Sequence, residues 1–349
     1  MTIGSRNGLN RQGLRRRNLG AGGTLVLAVI GLLGIAARPA CAHHGVASLG
    51  VAGLKGPGAP IETSSSATLP PGSFLAYMKL DYASFETYTP ARDDEGDYNA
   101  FWMYGLGFGA RSWLSLYLFA PFYTKKTEDN SYTSSGFADL SLMAVAGFRL
   151  DGMRFGLVPA NESLDDLEDW HFTLYGGATL PTGKANLRDA DGNIDPGMSL
   201  GFGNPAYTAG ATATKQFGRL SWVTDVSFIG FSEYEYADGQ RTRFGDEFRV
   251  NVALPVRLLA AGDAELRLDA VLEANYLSLG RDESGGVGED ATGGRMLYLV
   301  PGLRLYAGQT SLGLGLKLPG WTDLNEEAEQ QGAEGKEAYR AILTFSTLI

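Results

Sequence analysis

The residues of this chain whose types and spacing could do chemistry are charged side chains at every second position of apolar stretches. Between residues 246 and 279, arginines and carboxylates share one alternate set of positions, and mostly Phe, Val and Leu share the other. A period of two puts these sets on opposite faces of β-strands. Charges on one such face can pair across strands or line a passage for polar solutes. The candidate lumen-lining residues are Arg249, Arg257, Glu265, Arg267, Asp269, Glu273, Arg304, Lys317 and Arg340.

These charges allow two interpretations. In the first, they line a zwitterionic lumen that selects strongly for neither cations nor anions. In the second, the pairs only hold neighbouring strands together, because many ion pairs in proteins have no other role.

Two stretches contain candidate metal ligands. Residues 189–195 carry Asp189, Asp191, Asn193 and Asp195 at alternate positions, as a calcium-binding loop does, but lack the sixth-position Gly and the later bidentate Glu of an EF-hand. The pair His43 and His44 could hold copper or nickel through nitrogen atoms if processing left the first of them at the N-terminus. A solvated loop and an unligated terminus are the alternatives, and the sequence assigns no cofactor.

Catalysis is the competing class of function, since a serine hydrolase would need a histidine base. His171 is the only histidine after residue 44, so at most one such base is available to the serines of residues 73–349. A hydrolase is therefore the least favoured interpretation, and we predict that the protein is not an enzyme.

The first 42 residues have the pattern of a cleaved export signal. Arg15, Arg16 and Arg17 precede the apolar stretch 24–37, and Ala-Cys-Ala at 40–42 fits a cleavage site. The apolar stretch is shorter than the roughly twenty residues that a membrane-spanning helix needs. Cleavage after Ala42 would remove the sole cysteine and leave residues 43–349.

Composition restricts the class of protein and its partners. The formal net charge of −10 argues against nucleic acid as a partner. With 48 glycines and 11% aromatic residues, the chain suits a membrane barrel better than an average soluble domain. The expected partners are outer-membrane lipid, a small-molecule solute and the barrel-assembly machinery.

After the signal, the chain divides into an arm and a repeating strand pattern. Residues 43–72 are rich in Gly, Ala, Pro and Ser without any period, which predicts a flexible periplasmic arm. Residues 73–349 contain about twelve strand-like segments joined by alternating long and short connections, and an even count returns both termini to the periplasm. The connection 151–169 is too long for a periplasmic turn. The predicted strands are 74–86, 99–109, 111–124, 137–150, 170–182, 204–216, 219–231, 246–259, 264–279, 295–307, 310–320 and 338–349.

The middle of the chain contains four short motifs on consecutive predicted strands: GFADLSL at 136–142, GFRL at 147–150, LPTG at 180–183 and KQFGRL at 215–220. In their order and spacing they resemble the putative phenol-degradation MetA-pathway family of outer-membrane proteins. The likeness extends over 73–349. It implies a channel or transporter for small, often aromatic or hydrophobic compounds.

Together these patterns predict an all-β protein, a transmembrane antiparallel barrel of about twelve strands in a Gram-negative outer membrane. The predicted function is passive uptake or efflux of small compounds, and the family resemblance implies that these are aromatic or hydrophobic. The alternative is a closed barrel that binds a metal or a partner at the outer membrane.

Overall fold

The protein is described by a computed structural model over residues 60–85, 96–127, 133–160, 169–189, 191–261, 266–326 and 337–349. The predicted signal peptide 1–42, the histidines His43 and His44, and Glu265 lie outside these residues.

The long strands follow the alternation of apolar and polar residues along the chain, because each of them has one face toward the inside of the molecule and one toward the outside. In chain order the strands are β1 (Phe74–Phe85), β2 (Gly96–Arg111), β3 (Leu114–Thr127), β4 (Thr133–Phe137), β5 (Leu140–Asp151), β6 (Arg154–Leu157), β7 (Trp170–Leu180), β8 (Ala206–Phe217), β9 (Leu220–Gly230), β10 (Tyr234–Glu235), β11 (Arg241–Arg243), β12 (Glu247–Ala261), β13 (Leu266–Leu279), β14 (Glu283–Ser284), β15 (Val287–Gly288), β16 (Gly294–Ala307), β17 (Thr310–Leu324) and β18 (Glu337–Leu348).

The large sheet closes on itself as a barrel of twelve antiparallel wall strands. Each wall strand pairs with its neighbours in the chain, and β1 pairs with β18. Strands β4 and β5 act as one wall strand, interrupted at Ala138 and Asp139, because both pair with β3. Strand β6 only folds back onto β5. The predicted fold class and strand number are confirmed.

One rim of the barrel holds both ends of the strand sequence and the short turns. The backbone N–H of Phe74 donates to the carbonyl oxygen of Ile349 at 2.9 Å, and the reverse bond is 2.7 Å long. The turns after β8 and β16 use Gly218 and Gly308 with φ of 61° and 58°, a conformation that favours glycine. The connection 151–169 begins at this rim as the β5–β6 hairpin, and residues 161–168 lie outside the described part.

The opposite rim carries the longer connections. Strands β10, β11, β14 and β15 form a separate four-stranded sheet there. The connection between β7 and β8 contains one turn of 3-10 helix, Pro196–Met198. Within the described residues, no helix is long and apolar enough to cross a bilayer.

The two faces of the barrel differ in polarity in the sense opposite to that of a soluble protein. Leu106 and Leu314 on the outer face are 59% and 54% exposed. On the inner face, Asp269, Glu273 and Arg304 are buried. An apolar outer surface around a polar interior is the arrangement of a transmembrane barrel, whose outer face contacts lipid.

Candidate functional site

The most informative feature of the interior is an extended segment, residues 60–69, which we call the strap. Its residues are buried, and they contact inward side chains of wall strands on several sides of the barrel. The sequence predicts a flexible periplasmic arm at 43–72. The sequence leaves open whether this segment enters the lumen, and residues 60–69 of it lie inside the lumen.

One end of the strap is held by the carboxylate of Glu273 on β13. This carboxylate accepts hydrogen bonds from the backbone N–H groups of Glu62 at 3.0 Å and Thr63 at 2.9 Å, and also from that of Ile61. The hydroxyl of Thr63 donates to it at 2.6 Å. A buried strap outside any sheet needs acceptors for its N–H groups, and one carboxylate serves three of them.

Ion pairs fix the same end of the strap. The carboxylate of Glu62 accepts from the ammonium groups of Lys79 and Lys317, the latter at 3.2 Å. Arg304 donates to the carbonyl oxygen of Pro60 at 2.6 Å. Because all these groups are buried, removing one partner of a pair would leave an uncompensated charge in the lumen.

The rest of the strap crosses to the opposite wall. Ser66 donates its backbone N–H to Thr214 Oγ1 at 3.1 Å on β8, and the backbone N–H of Leu69 donates to Ser115 Oγ at 2.8 Å on β3. Thr68 donates its hydroxyl to the carbonyl oxygen of Ser112 at 2.5 Å. The strap therefore occupies the width of the barrel.

Inward glycines make room for the strap. A Cβ atom added at Gly315 would lie 2.8 Å from Ile61 Cγ2, and one at Gly107 would lie 2.8 Å from Leu69 Cδ1. At Gly109 it would lie 2.0 Å from the carbonyl oxygen of Pro70. The wall is thus shaped around this segment of the chain.

The residues that the sequence predicted to line the lumen lie in two groups among the described positions. Arg257 and Arg267 are half-buried, and Glu265 lies outside the described residues. The others are buried inside the barrel: Arg249, Asp269, Glu273, Arg304, Lys317 and Arg340.

Several of these charges form ion pairs with a residue two positions away on the same strand, which the sequence did not predict. Arg249 donates to Glu247 at 2.9 Å through Nε, and Arg267 donates to Asp269 at 2.7 Å. Arg340 reaches across to the Asp81 carboxylate at 3.4 Å. Some of these charges therefore brace the wall and others bind the strap, while solute selection by a zwitterionic lumen stays a prediction.

Sequence reasoning missed three participants. Lys79 and Asp81 follow the same alternation in β1 as the predicted residues do in β12 and β13, so that signal could have found them. Glu62 lies in a stretch without a period, and no sequence signal points to it.

Beyond the strap, the β7–β8 connection folds over part of the long-loop rim. Lys125 donates to the carbonyl oxygens of Gly197 at 3.2 Å and Ser199 at 2.9 Å. The carboxylate of Asp139 accepts from the backbone N–H groups of Gly183 and Phe202, both at 2.7 Å. A small cavity of about 30 Å³, partly open to solvent, lies between this connection and the wall. Aromatic and apolar side chains contribute to its lining: Phe101, Met103, Tyr123, Leu200 and Phe202.

The candidate calcium loop uses its side chains to hold its own backbone. Asp189 Oδ1 accepts from the N–H groups of Asp191 and Asn193 at 3.0 and 2.8 Å. Asp195 caps the 3-10 helix by accepting from Gly197 N at 2.7 Å. In the part of the chain that the structure covers, no group of three or more His, Cys, Asp or Glu side chains is arranged to hold a metal.

Asp195 gives this connection a pH dependence. Burial raises the pKa of Asp195 from 3.8 to about 6, against the opposing effect of the Gly197 N–H. The protonated form is thus favoured by folding, so the contribution is present below pH 3.8 and is lost as the pH rises through about 6. We expect residues 191–199 to exchange their amide hydrogens more slowly at pH 4.5 than at pH 7.5, after correction for intrinsic rates. The free energy of opening derived from these exchange rates should differ between the two pH values by no more than about 3 kcal/mol.

The matched variant for this measurement is Asp195→Asn, because asparagine also caps helices and does not titrate. The variant should show the same corrected protection at both pH values. A pH dependence equal to that of the unaltered chain would assign the effect to another group.

His171 is buried on the inner face of β7, and its Nδ1 lies 3.1 Å from the carbonyl oxygen of Asp169. It faces Arg149 on β5 and Thr214 on β8 in the strand register. This places the histidine in the barrel wall near the short-turn rim.

Comparison with known proteins identifies one family and several similar solved structures. A family model described as Putative MetA-pathway of phenol degradation matches residues 83–323, which is more than half of the chain. No curated protein sequence matches at a significant level.

Among solved structures, an outer membrane channel from Pseudomonas putida F1 is similar with a TM-score of 0.62 and 13% identity, over 81% of this chain and 98% of that one. The translocator domain of the autotransporter NalP from Neisseria meningitidis has a TM-score of 0.43 and 11% identity, over 80% of this chain and 88% of that one. The first likeness supports the barrel fold.

Proposed function

Because the chain belongs to the family described as Putative MetA-pathway of phenol degradation, and because its barrel has an apolar exterior and a polar interior, we propose that it is an outer-membrane channel for small solutes. The solutes are small aromatic or hydrophobic compounds, in keeping with the description of the family. Residues 1–42 direct export and are then removed, and the barrel-assembly machinery inserts the remainder.

The observation that carries this proposal is the distribution of polarity in a closed barrel. A buried ladder of charges such as Asp269 and Arg304 adds little net stability over well-packed apolar side chains of similar volume, so bracing the wall does not by itself require it. The same ladder would supply hydration sites along a solute pathway. Twelve strands are intermediate between the filled barrels of about eight and the aqueous pores of sixteen or more, so the passage is narrow.

The strap, residues 60–69 near the start of the barrel domain, occupies the lumen of this channel. Solutes pass beside the strap or after it has moved, and they do so without chemical conversion. The protein is thus proposed as a passive transporter, with its capacity limited by residues 60–69.

Single-channel recording in planar bilayers tests the proposal. Residues 43–349 would be refolded in detergent, and barrel formation would be checked by the heat-dependent shift in gel mobility. We expect small discrete conductance steps. Aromatic solutes that enter the lumen should shorten or block those steps.

The control is the same protein after heat denaturation, which should be silent. A folded barrel that gives no steps, and that still gives none after the strap is deleted, would contradict a channel. Silence that ends upon deletion would instead show that the strap closes the pore.

A further inference from the structure

Resting on the proposed channel function, we infer that Ile61 and Glu62 of the strap occupy a binding site for solutes, and that this site takes a small organic carboxylate with an apolar group. The strap residues are its internal occupant. A solute of this class competes with them and displaces the strap.

The charged half of the site consists of Lys79 on β1 and Lys317 on β17. Their ammonium groups contact different oxygens of the Glu62 carboxylate, Oε1 and Oε2. Both lysines are buried, at 1% and 3% exposure. Two cations that contact one carboxylate from separate strands form a carboxylate site, whether the strap or a solute supplies the carboxylate.

The charge balance of this region favours an anion when Glu62 is absent. Among the described residues of the cluster, the cations are Lys79, Lys317, Arg304 and Arg340, and the carboxylates that remain without Glu62 are Asp81, Glu273 and Glu337. Four positive and three negative charges leave one positive charge in excess. A buried charge without compensation is costly, so departure of Glu62 requires another anion or water in its place.

The apolar half of the site holds Ile61. Its side chain belongs to a buried cluster with Val271, Val300 and Ile342. Gly315 lies directly beneath it. The ring of Tyr298 lies under Lys317, with Nζ 4.4 Å from the ring centroid, and extends the apolar surface to the cation.

The neighbouring residues Ile61 and Glu62 thus present a branched apolar group beside a carboxylate. This pairing defines the solute class. A neutral aromatic compound would meet only the apolar half and would leave the excess charge uncompensated, whereas acetate would meet only the charged half. Because the strap and the solute use the same atoms of the wall, the two occupancies exclude each other, and solute binding favours the displaced strap.

The test measures exposure of the strap. In residues 43–349, which contain no cysteine, Ser65→Cys places a thiol at a buried strap position. The rate of its reaction with a membrane-impermeant maleimide is measured in liposomes with benzoate, benzamide or acetate at equal concentrations. We expect benzoate to raise the rate about tenfold, acetate to raise it less, and benzamide to leave it unchanged.

Variants connect the effect with the site. Lys317→Gln should abolish the benzoate response and Lys317→Arg should retain it, with folding checked by heat-shifted mobility. Glu62→Gln should raise the rate about tenfold without solute, and by removing the competitor it should also tighten benzoate binding in calorimetry. Equal effects of benzoate and benzamide, or a benzoate response that survives in Lys317→Gln, would overturn the proposal.

Two readouts separate this proposal from the channel itself. Labelling reports displacement of the strap and conductance reports passage of ions. Benzoate-dependent labelling without conductance would keep the binding site and refute the channel. A protein that conducts, but whose strap is not labelled with any of the three solutes or in Glu62→Gln, would support the channel and refute the binding site.

Discussion

A chain that begins at Pro70 should conduct ions roughly threefold or more better than a chain that begins at Pro60, because the conductance of a narrow pore follows its open cross-section. The shorter chain lacks the ten residues whose side chains and backbone cross the barrel, from the Glu273 carboxylate on one wall to Ser115 on the other. Single-channel recording under identical salt and voltage measures the difference.

The chain that begins at Pro60 is the matched control, because it lacks residues 43–59 in the same way and retains the strap. Both chains must show the heat-shifted mobility of a folded barrel. Deletion leaves Glu273, Lys79 and Lys317 without their strap partners, so we also expect the shorter chain to unfold at a lower temperature. Equal conductance of the two folded chains would mean that the strap does not limit the pathway.

The barrel could be predicted from the sequence because its wall follows one physical rule. Each wall strand has lipid on one side and a polar interior on the other, so a period of two appears in the sequence wherever a strand crosses. Residues 246–259 and 264–279 were predicted as strands, and β12 and β13 differ from these limits by at most two residues. Long and short connections alternate along the chain because successive antiparallel strands end at opposite rims. One rim carries the short turns, together with the start of β1 and the end of β18, and the other carries the long connections.

The strap could not be predicted because no periodic constraint acts on it. Its side chains contact walls on different sides in turn, so Ile61 meets an apolar cluster, Glu62 meets lysines and Ser66 meets threonine hydroxyls. The sequence of the strap therefore has the small and polar composition that is typical of a linker. Its partners were visible as inward charges, yet nothing in the sequence showed that Glu273 binds a segment more than two hundred residues away.

Ion pairs between residues of the same strand were also not predicted, because only charges that pair across strands were considered. Residues two apart on a strand lie about 6.6–6.8 Å from each other on the same face, which is within reach of an arginine side chain. Arg249 with Glu247 and Arg267 with Asp269 use this spacing. Other charges of the ladder therefore remain available for the strap, which is how Glu273, Arg304 and Lys317 come to hold it.

Replacing Gly315 by valine should dislodge the strap without opening the wall. Its Cβ would lie 2.8 Å from Ile61 Cγ2 and 3.3 Å from Val300 Cγ1, and no backbone atom is among its near contacts. Overpacking of this kind costs about 1–3 kcal/mol, which reduces the seated fraction of the strap roughly tenfold. Valine is favoured over glycine in strands, so the barrel itself should gain rather than lose stability. The measurement is the maleimide labelling rate of a Ser65→Cys strap, together with conductance.

The rescue distinguishes a displaced strap from a damaged barrel. Ile61→Ala removes the atoms that the new side chain meets, so the pair Gly315→Val and Ile61→Ala should label more slowly than Gly315→Val alone, a coupling expected only for residues in contact. Gly156→Val is the matched control, because a Cβ at Gly156 meets no atom within 4 Å. A strap that stays protected in Gly315→Val, or that is exposed equally in the double variant, would show that the seat of Ile61 does not hold residues 60–69 in the lumen. The inward glycines would then serve strand packing alone, and the electrostatic contacts of Glu62 and Glu273 would have to account for the whole stability of the occupied lumen.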